Sequence, residues 1–231
     1  MLQIINLKKS YGTHQALKGL DLTVNRGEVF CLLGQNGAGK TTTINICLGF
    51  LKADSGEVRV HGETVAYNTV SSRKHLAYIP EVVMLYPQLT ALENLDFFCR
   101  LAGYRYTYSQ LNQFLSEANL QLDAHRKRVG AFSKGMRQKV GIAIAVAKQA
   151  EVILMDEPTS GLDPRATDEF TRLVKRLTSV GKSVLMATHD IFNAVNVGTH
   201  IGIMKEGKLI HTLEASSVTP DALQQLYLET I

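Results

Sequence analysis

The stretch Gly34-Gln35-Asn36-Gly37-Ala38-Gly39-Lys40-Thr41 constrains this chain more than any other. It fits G-x-x-x-x-G-K-[ST], a loop that works only between a buried strand and a helix. The apolar run Val29-Phe30-Cys31-Leu32-Leu33 precedes it, and a helical-looking segment, residues 41–50, follows. The glycines let backbone N–H groups approach an anion closely, and the helix N-terminus adds a favourable dipole end. Lys40 brings a point charge toward β- and γ-phosphates, and the Thr41 hydroxyl can ligate magnesium. The motif predicts an α/β chain that binds a nucleoside triphosphate with Mg2+.

The rest of the chain can support such a core. Its 231 residues are 45% hydrophobic and 20% charged, without tryptophan, which suits one sizeable ordered core. A net charge of +4 is too small to argue for nucleic acid, and none is expected as a partner. Cys31, Cys47 and Cys99 form no C-x-x-C pair, so neither a zinc site nor a disulfide framework is implied, and a reducing compartment fits. The N-terminus lacks a basic segment followed by an apolar one, so no signal peptide is expected. The longest strongly apolar run, residues 140–147, is far short of the roughly 20 needed to span a bilayer. A soluble chain is expected, whose membrane role would need a partner.

Hydrophobic patterning places strands at residues 2–7, 20–24, 29–33, 58–60, 76–79, 152–155 and 183–187. Residues 201–204 and 208–213, separated by Glu206-Gly207, read as a hairpin. Residues 90–125 switch to helical spacing (Leu92, Leu95, Phe98, Leu101, then Leu111, Phe114, Leu115, Ala118), with Gly103 between two helices. Further helices are expected at 134–148, 165–178 and 221–229. The alternation of strand and helix predicts a parallel sheet. One domain over residues 1–231 is expected: a P-loop NTPase core, an N-terminal antiparallel β subdomain, and a helical subdomain inserted at about 82–135.

A second signal supports triphosphate chemistry. Val152-Ile153-Leu154-Met155-Asp156-Glu157 is a buried strand ending in two acids, the Walker B pattern. Its Asp helps hold magnesium, and Glu157 stands where a carboxylate could polarise an attacking water. No Asn-Lys-x-Asp base-reading motif is present, which weakens a GTPase reading. The third signal is Phe132-Ser133-Lys134-Gly135-Met136-Arg137-Gln138, about twenty residues before Walker B. Alone it would be a helix start capped by Ser133. With the P-loop upstream, it resembles the signature of ATP-binding cassette (ABC) proteins, usually Leu-Ser-Gly-Gly-Gln. Other elements follow in that family's order: Tyr11 at the adenine-stacking position, Tyr78-Ile79-Pro80-Glu81 at the Q-loop, Ser160-Gly161-Leu162-Asp163 at the D-loop, and Thr188-His189-Asp190 at the switch histidine.

The resemblance, which covers nearly the whole chain, implies an ATPase subunit of an ABC membrane transporter. Its Ser-Lys-Gly-Met signature is similar to that of the drug- and ion-export branch. The implied nucleotide contacts are Tyr11, Gly34, Gln35, Asn36, Gly37, Ala38, Gly39, Lys40, Thr41 and Thr42. Glu157, His189 and Lys40 would carry catalysis, and Thr41, Asp156 and Glu81 would hold Mg2+. Ser133 and Gly135 would face the ATP of a second cassette, in a head-to-tail dimer that hydrolysis releases. A polytopic permease would be the other partner, docked near Val82-Val83-Met84-Leu85-Tyr86-Pro87, and would hold the chain on the inner face of the cell membrane. The alternative is a soluble cassette serving a cytosolic assembly such as iron–sulfur cluster biogenesis. Three residues, in two motifs, depart from the family pattern. Glu81 replaces the Q-loop glutamine, losing a donor, and Lys134 and Met136 replace Gly and Gln, which puts a cation near the phosphate path.

Overall fold

The apolar runs read as buried strands are apolar because both of their faces are covered. In the computed structural model, which describes residues 1–68 and 71–231, alternate residues of each central strand enter two different cores. Val29, Cys31 and Leu33 point into one, and Phe30 and Leu32 into the other. Ile153 and Met155 part from Val152 and Leu154 in the same way. A parallel sheet with both faces covered has no solvent side to encode with polar residues.

The chain opens with a hairpin, β1 (Leu2–Tyr11) and β2 (His14–Val24), and β3 (Val29–Gly34) then leads into α1 (Lys40–Cys47). Next come β4 (Ser55–Val60), the two-residue β5 (Glu63–Thr64) and β6 (Leu76–Ile79). The helical stretch holds α2 (Ala91–Leu101) and α3 (Tyr108–Glu117), and α4 (Lys134–Ala147) returns to the sheet at β7 (Val152–Asp156). The chain closes with α5 (Pro164–Ser179), β8 (Ser183–Thr188), α6 (Ile191–Val197), β9 (His200–Lys205), β10 (Lys208–Glu214) and α7 (Pro220–Thr230).

Among the described residues these strands form two sheets, an antiparallel one ordered β2-β1-β4-β5 and a larger one ordered β10-β9-β3-β8-β7-β6. The second is parallel from β9 through β6, with β10 paired antiparallel to β9 as the expected late hairpin. One core lies between the parallel sheet and helices α2 to α7, and takes in Leu92, Leu95, Leu111 and Leu115 of the helical stretch. The other lies between the opposite face, α1 and the antiparallel sheet, with Leu2, Ile4, Leu20 and Leu22.

Helix starts follow local chemistry. Thr90 and Thr107 each form a capping box, with Glu93 and Gln110 respectively. Asp163, ahead of Pro164, caps α5 by accepting from the Ala166 N–H. The strand and helix positions read from the sequence fall on these elements, but β1 continues to Tyr11, β2 begins at His14 rather than at residue 20, and neither β5 nor α6 was foreseen. The α6 segment has only seven residues, too few for a periodicity to stand out.

Candidate functional site: a phosphate cradle at the strand ends

Parallel sheets gather chemistry at the carboxyl ends of their strands. Here β3 delivers the glycine loop, β7 ends in Asp156, and β8 runs into His189. The loop's shape demands glycine at two points. Gly39 has φ 107°, and a Cβ there would lie 2.7 Å from the Ala16 carbonyl oxygen. A Cβ on Gly34 would meet the Met204 carbonyl oxygen at 2.7 Å. The β9–β10 turn braces the loop, since the Gly207 N–H donates to the Ala38 carbonyl at 3.0 Å.

Lys40 is buried and donates to the carbonyls of Gly34, at 2.5 Å, and Gln35, at 3.2 Å. Burial lowers its pKa, while Glu157 and Asp156 pull it back up. Its ammonium lies 3.9 Å from the Glu157 carboxylate. Asp156 is shifted the other way: burial raises its pKa, a hydrogen bond with Thr41 opposes this, and the neighbouring Glu157 and Glu81 charges reinforce it. A carboxylate held at such a cost, beside the Thr41 hydroxyl, makes an all-oxygen donor set that suits a hard cation such as Mg2+.

Glu157 occupies the left-handed backbone region, with φ 45°, and its N–H donates to the Ala187 carbonyl at 2.9 Å. That turn brings its carboxylate to His189, 2.8 Å from Nδ1 and 3.3 Å from the backbone N–H. Such backbone strain is concentrated at functional sites. One cleft of about 350 Å³ is lined by the glycine loop, Lys40, Thr41, Thr42, Asp156, Glu157, Glu81 and Tyr11. Tyr11 is half exposed at its edge, with the Lys9 ammonium 5.7 Å from the ring centre. His14 also lines the cleft, and its position one turn after Tyr11 was the only clue in the sequence.

Glu81 accepts a hydrogen bond from the Ser160 hydroxyl at 2.9 Å and pairs with the Lys134 ammonium at 3.5 Å. Ser160 and then Lys134 lower its pKa. The cation expected near the phosphate path is therefore tied to the other unusual residue. Sequence reasoning also missed Gln138, which is buried on α4 and whose amide donates to the carbonyls of Pro80 and Glu81 at 3.2 and 3.1 Å.

Ser133 and Gly135 are not brought into the cleft. They line a separate depression of about 270 Å³ with Gln121, Leu162, Asp163 and Arg165. Ser133 caps α4, accepting from the Met136 N–H at 3.3 Å. Beyond it the segment before α2 is partly bare: Val82, Met84 and Tyr86 are exposed, whereas Val83 is buried and Leu85 packs on the core. Asn94, fully buried, holds this segment through both backbone groups of Tyr86, at 2.8 and 3.1 Å.

A glycine cradle with a buried lysine, a Thr–Asp oxygen pair and a Glu–His pair at parallel strand ends define a P-loop nucleoside triphosphatase. The profile of the ABC transporter family matches residues 17–160. The linearmycin resistance ATP-binding protein of Bacillus subtilis is 33% identical over 91% of this chain and 68% of its own length. The Nod factor export ATP-binding protein I of Cupriavidus metallidurans is 33% identical over 97% and 76%. Among solved structures, a dimeric ATP-binding cassette in a post-hydrolysis state with ADP and Pi is 28% identical, with a TM-score of 0.82, over 93% of this chain and 99% of that one. The chain belongs to the ABC transporter family, as an ATP-hydrolysing cassette. Among the described residues no helix is long and apolar enough to cross a membrane.

Proposed function

We propose that this chain is the ATPase subunit of an export system, acting as one of two cassettes beneath a membrane permease. The separation of the two site halves carries this reading. The P-loop, Asp156 and Glu157 share one cleft, while Ser133 and Gly135 face elsewhere. A second copy turned head to tail would bring its Ser133 and the start of its α4 to the γ-phosphate, where a helix N-terminus favours negative charge. Relatives named for resistance and export support the direction of transport and lend nothing to a cytosolic iron–sulfur role.

In this reading the glycine loop and Lys40 bind the phosphates, and Tyr11 stacks on the adenine. Thr41 and Asp156 would hold Mg2+, and Glu81, which lines the same cleft, would add a further carboxylate to that oxygen donor set. When bound, the ion supplies positive charge to the β- and γ-phosphate oxygens. Glu157 orients the attacking water and takes up its proton. His189, on the same carboxylate, keeps Glu157 in place and contacts the γ-phosphate. The exposed Val82, Met84 and Tyr86 present an apolar face to a permease segment, which would hold the cassette peripherally on the inner membrane face.

Glu157→Gln tests the reading. General-base loss typically costs about 10²–10⁴ in rate. Phosphate release should fall by that much, ATP should still bind, and ATP should now hold the variant as a dimer on a sizing column. Turnover within about threefold of the parent protein would overturn the assignment. For the docking face, Tyr86→Asp should block co-purification with the permease while leaving ATP binding intact.

A further inference from the structure

At the opposite, amino-terminal end of the parallel sheet, His61, His75 and Glu151 converge. Their candidate ligand atoms lie within 4.8 Å of one another. The Glu151 carboxylate is 3.1 Å from His61 Nε2 and 3.2 Å from His75 Nδ1. The two imidazole rings stand 5.2 Å apart, tilted by 57°. We propose that this trio is a binding site for a borderline transition cation of the zinc class, separate from the Mg2+ of the nucleotide cleft.

Three rigid elements fix the donors. His75 and Glu151 immediately precede β6 and β7, which pair in register from Leu76 and Val152. The Glu151 N–H donates to the His75 carbonyl at 3.0 Å, and the Ser183 N–H donates to the Glu151 carbonyl at 2.9 Å. His61 sits in the β4–β5 turn at φ 56°, its N–H donating to the Met1 carbonyl at 2.9 Å. The sequence thus places a bulky imidazole at a backbone position that disfavours it. Tetrahedral zinc with bonds of about 2.0–2.1 Å separates its ligand atoms by about 3.3 Å. The separations of His61 Nε2 from Glu151 Oε2 and of His75 Nδ1 from Oε1 are each close to that edge, and a small turn of the carboxylate would present one oxygen to an ion between the rings.

The donor types suit the cation. Two imidazoles and a carboxylate bind zinc-class ions, whereas Mg2+ prefers oxygens alone. All three side chains are roughly one-third exposed, which leaves the fourth position to water. In the metal-free arrangement the ring N–H groups would face the carboxylate. A cation would replace those two protons, and each neutral ring would carry its proton on its other nitrogen. Lys182, whose charge Glu151 supports, and Arg26 are the nearby cations that oppose binding. The site would tie the antiparallel sheet to the parallel one through a metal.

Co2+ is the probe for the purified chain, because four-coordinate cobalt has visible ligand-field bands. One equivalent per chain is expected, competed away by Zn2+ but not by Mg2+. The buried cysteines cannot supply the ligands in the native state. His61→Asn keeps a residue that tolerates the left-handed region while removing the imidazole, and Glu151→Gln removes the charge. Both should abolish the bands, and His61→Asn should leave basal ATP turnover unchanged. Zn2+ at about 100 times its Kd should raise the thermal midpoint by roughly 5–10 °C in the parent protein and by nothing in His61→Asn. Absence of the bands, or their survival in both variants, would overturn the site.

Discussion

Glu81 and Lys134 offer a quantitative test, because two unusual residues meet in one contact. Substituting Glu81→Gln and Lys134→Met, singly and together, isolates that contact as a coupling energy. At 3.5 Å, two unit charges attract by about 1 kcal/mol at the dielectric of water and about 5 kcal/mol at an effective dielectric of about 20. The side chains are 53% and 28% exposed, which puts the pair near the water end. Exposed pairs measured this way give about 0.2–1 kcal/mol, and that is the expected coupling in urea unfolding at low salt. A contact of this length is screened appreciably only when the Debye length falls to about 3 Å, near 1 M salt, so the coupling should drop by about half there. The pH dependence has a definite sign. Ser160 and Lys134 hold the Glu81 pKa below its ordinary value of 4.5, so the stabilisation is complete at neutral pH. It is lost as the pH falls below 4.5 through the depressed value. Zero coupling at low salt, or one that salt leaves unchanged, would refute the reasoning. Turnover of the same four proteins would then show whether the contact also matters to the cleft that Glu81 lines.

Other outcomes follow from single positions. Burial raises the Asp156 pKa, so its charge costs stability at every pH above that raised value. Asp156→Asn should therefore raise the thermal midpoint at pH 7 while abolishing Mg2+-dependent turnover, and the gain should fade as the pH drops toward 3.8, where the parent's carboxyl is neutral. Gly39→Ala combines left-handed strain with a backbone clash at 2.7 Å, whereas Gly37→Ala meets nothing within 4 Å. Strain alone costs about 1–2 kcal/mol, so both variants should melt earlier, and Gly39→Ala by at least about 2–4 °C more. Burial pushes the Cys31 and Cys47 thiols up to about 12 and the Cys99 thiol to about 11. A maleimide reagent should therefore label none of the three in the folded chain and all of them in denaturant, and rapid labelling of the native protein would contradict this packing.

The sequence was most readable where its pattern had only one physical solution. A wholly apolar strand followed by glycines and Lys-Thr can be only a buried strand entering an anion-binding loop, and β3, its loop and α1 are where the pattern put them. The placement of Asp156 and Glu157 at the end of a buried strand was legible for the same reason. Contacts between distant segments were not. Nothing local says that Lys134 reaches Glu81, or that Gln138 holds the backbone of Pro80 and Glu81 from α4. The His61–His75–Glu151 cluster was equally hidden. Its members lie far apart in the chain and meet only because β6 pairs with β7 while the β4–β5 turn closes over them.

The cleft explains why binding and turnover should be separable in this protein. Three of the side chains that would meet a nucleotide already have partners: Lys40 rests on two loop carbonyls, Thr41 on Asp156, and Glu157 on His189. Exchanging such contacts for phosphate oxygens costs little for these three groups, because none is left unpaired during the exchange. Binding can therefore proceed in one chain. Turnover needs charge stabilisation at the γ-phosphate, and the start of α4, with Ser133 and Gly135, opens onto another depression. In the proposed head-to-tail arrangement a second copy brings it to bear. Ser133→Ala should accordingly leave ATP affinity within about threefold while lowering turnover by about tenfold or more, since a donor aimed at developing charge is worth up to 10²–10³ in rate. Equal loss of both would mean that Ser133 serves its own chain's cleft and that the two-copy geometry is wrong.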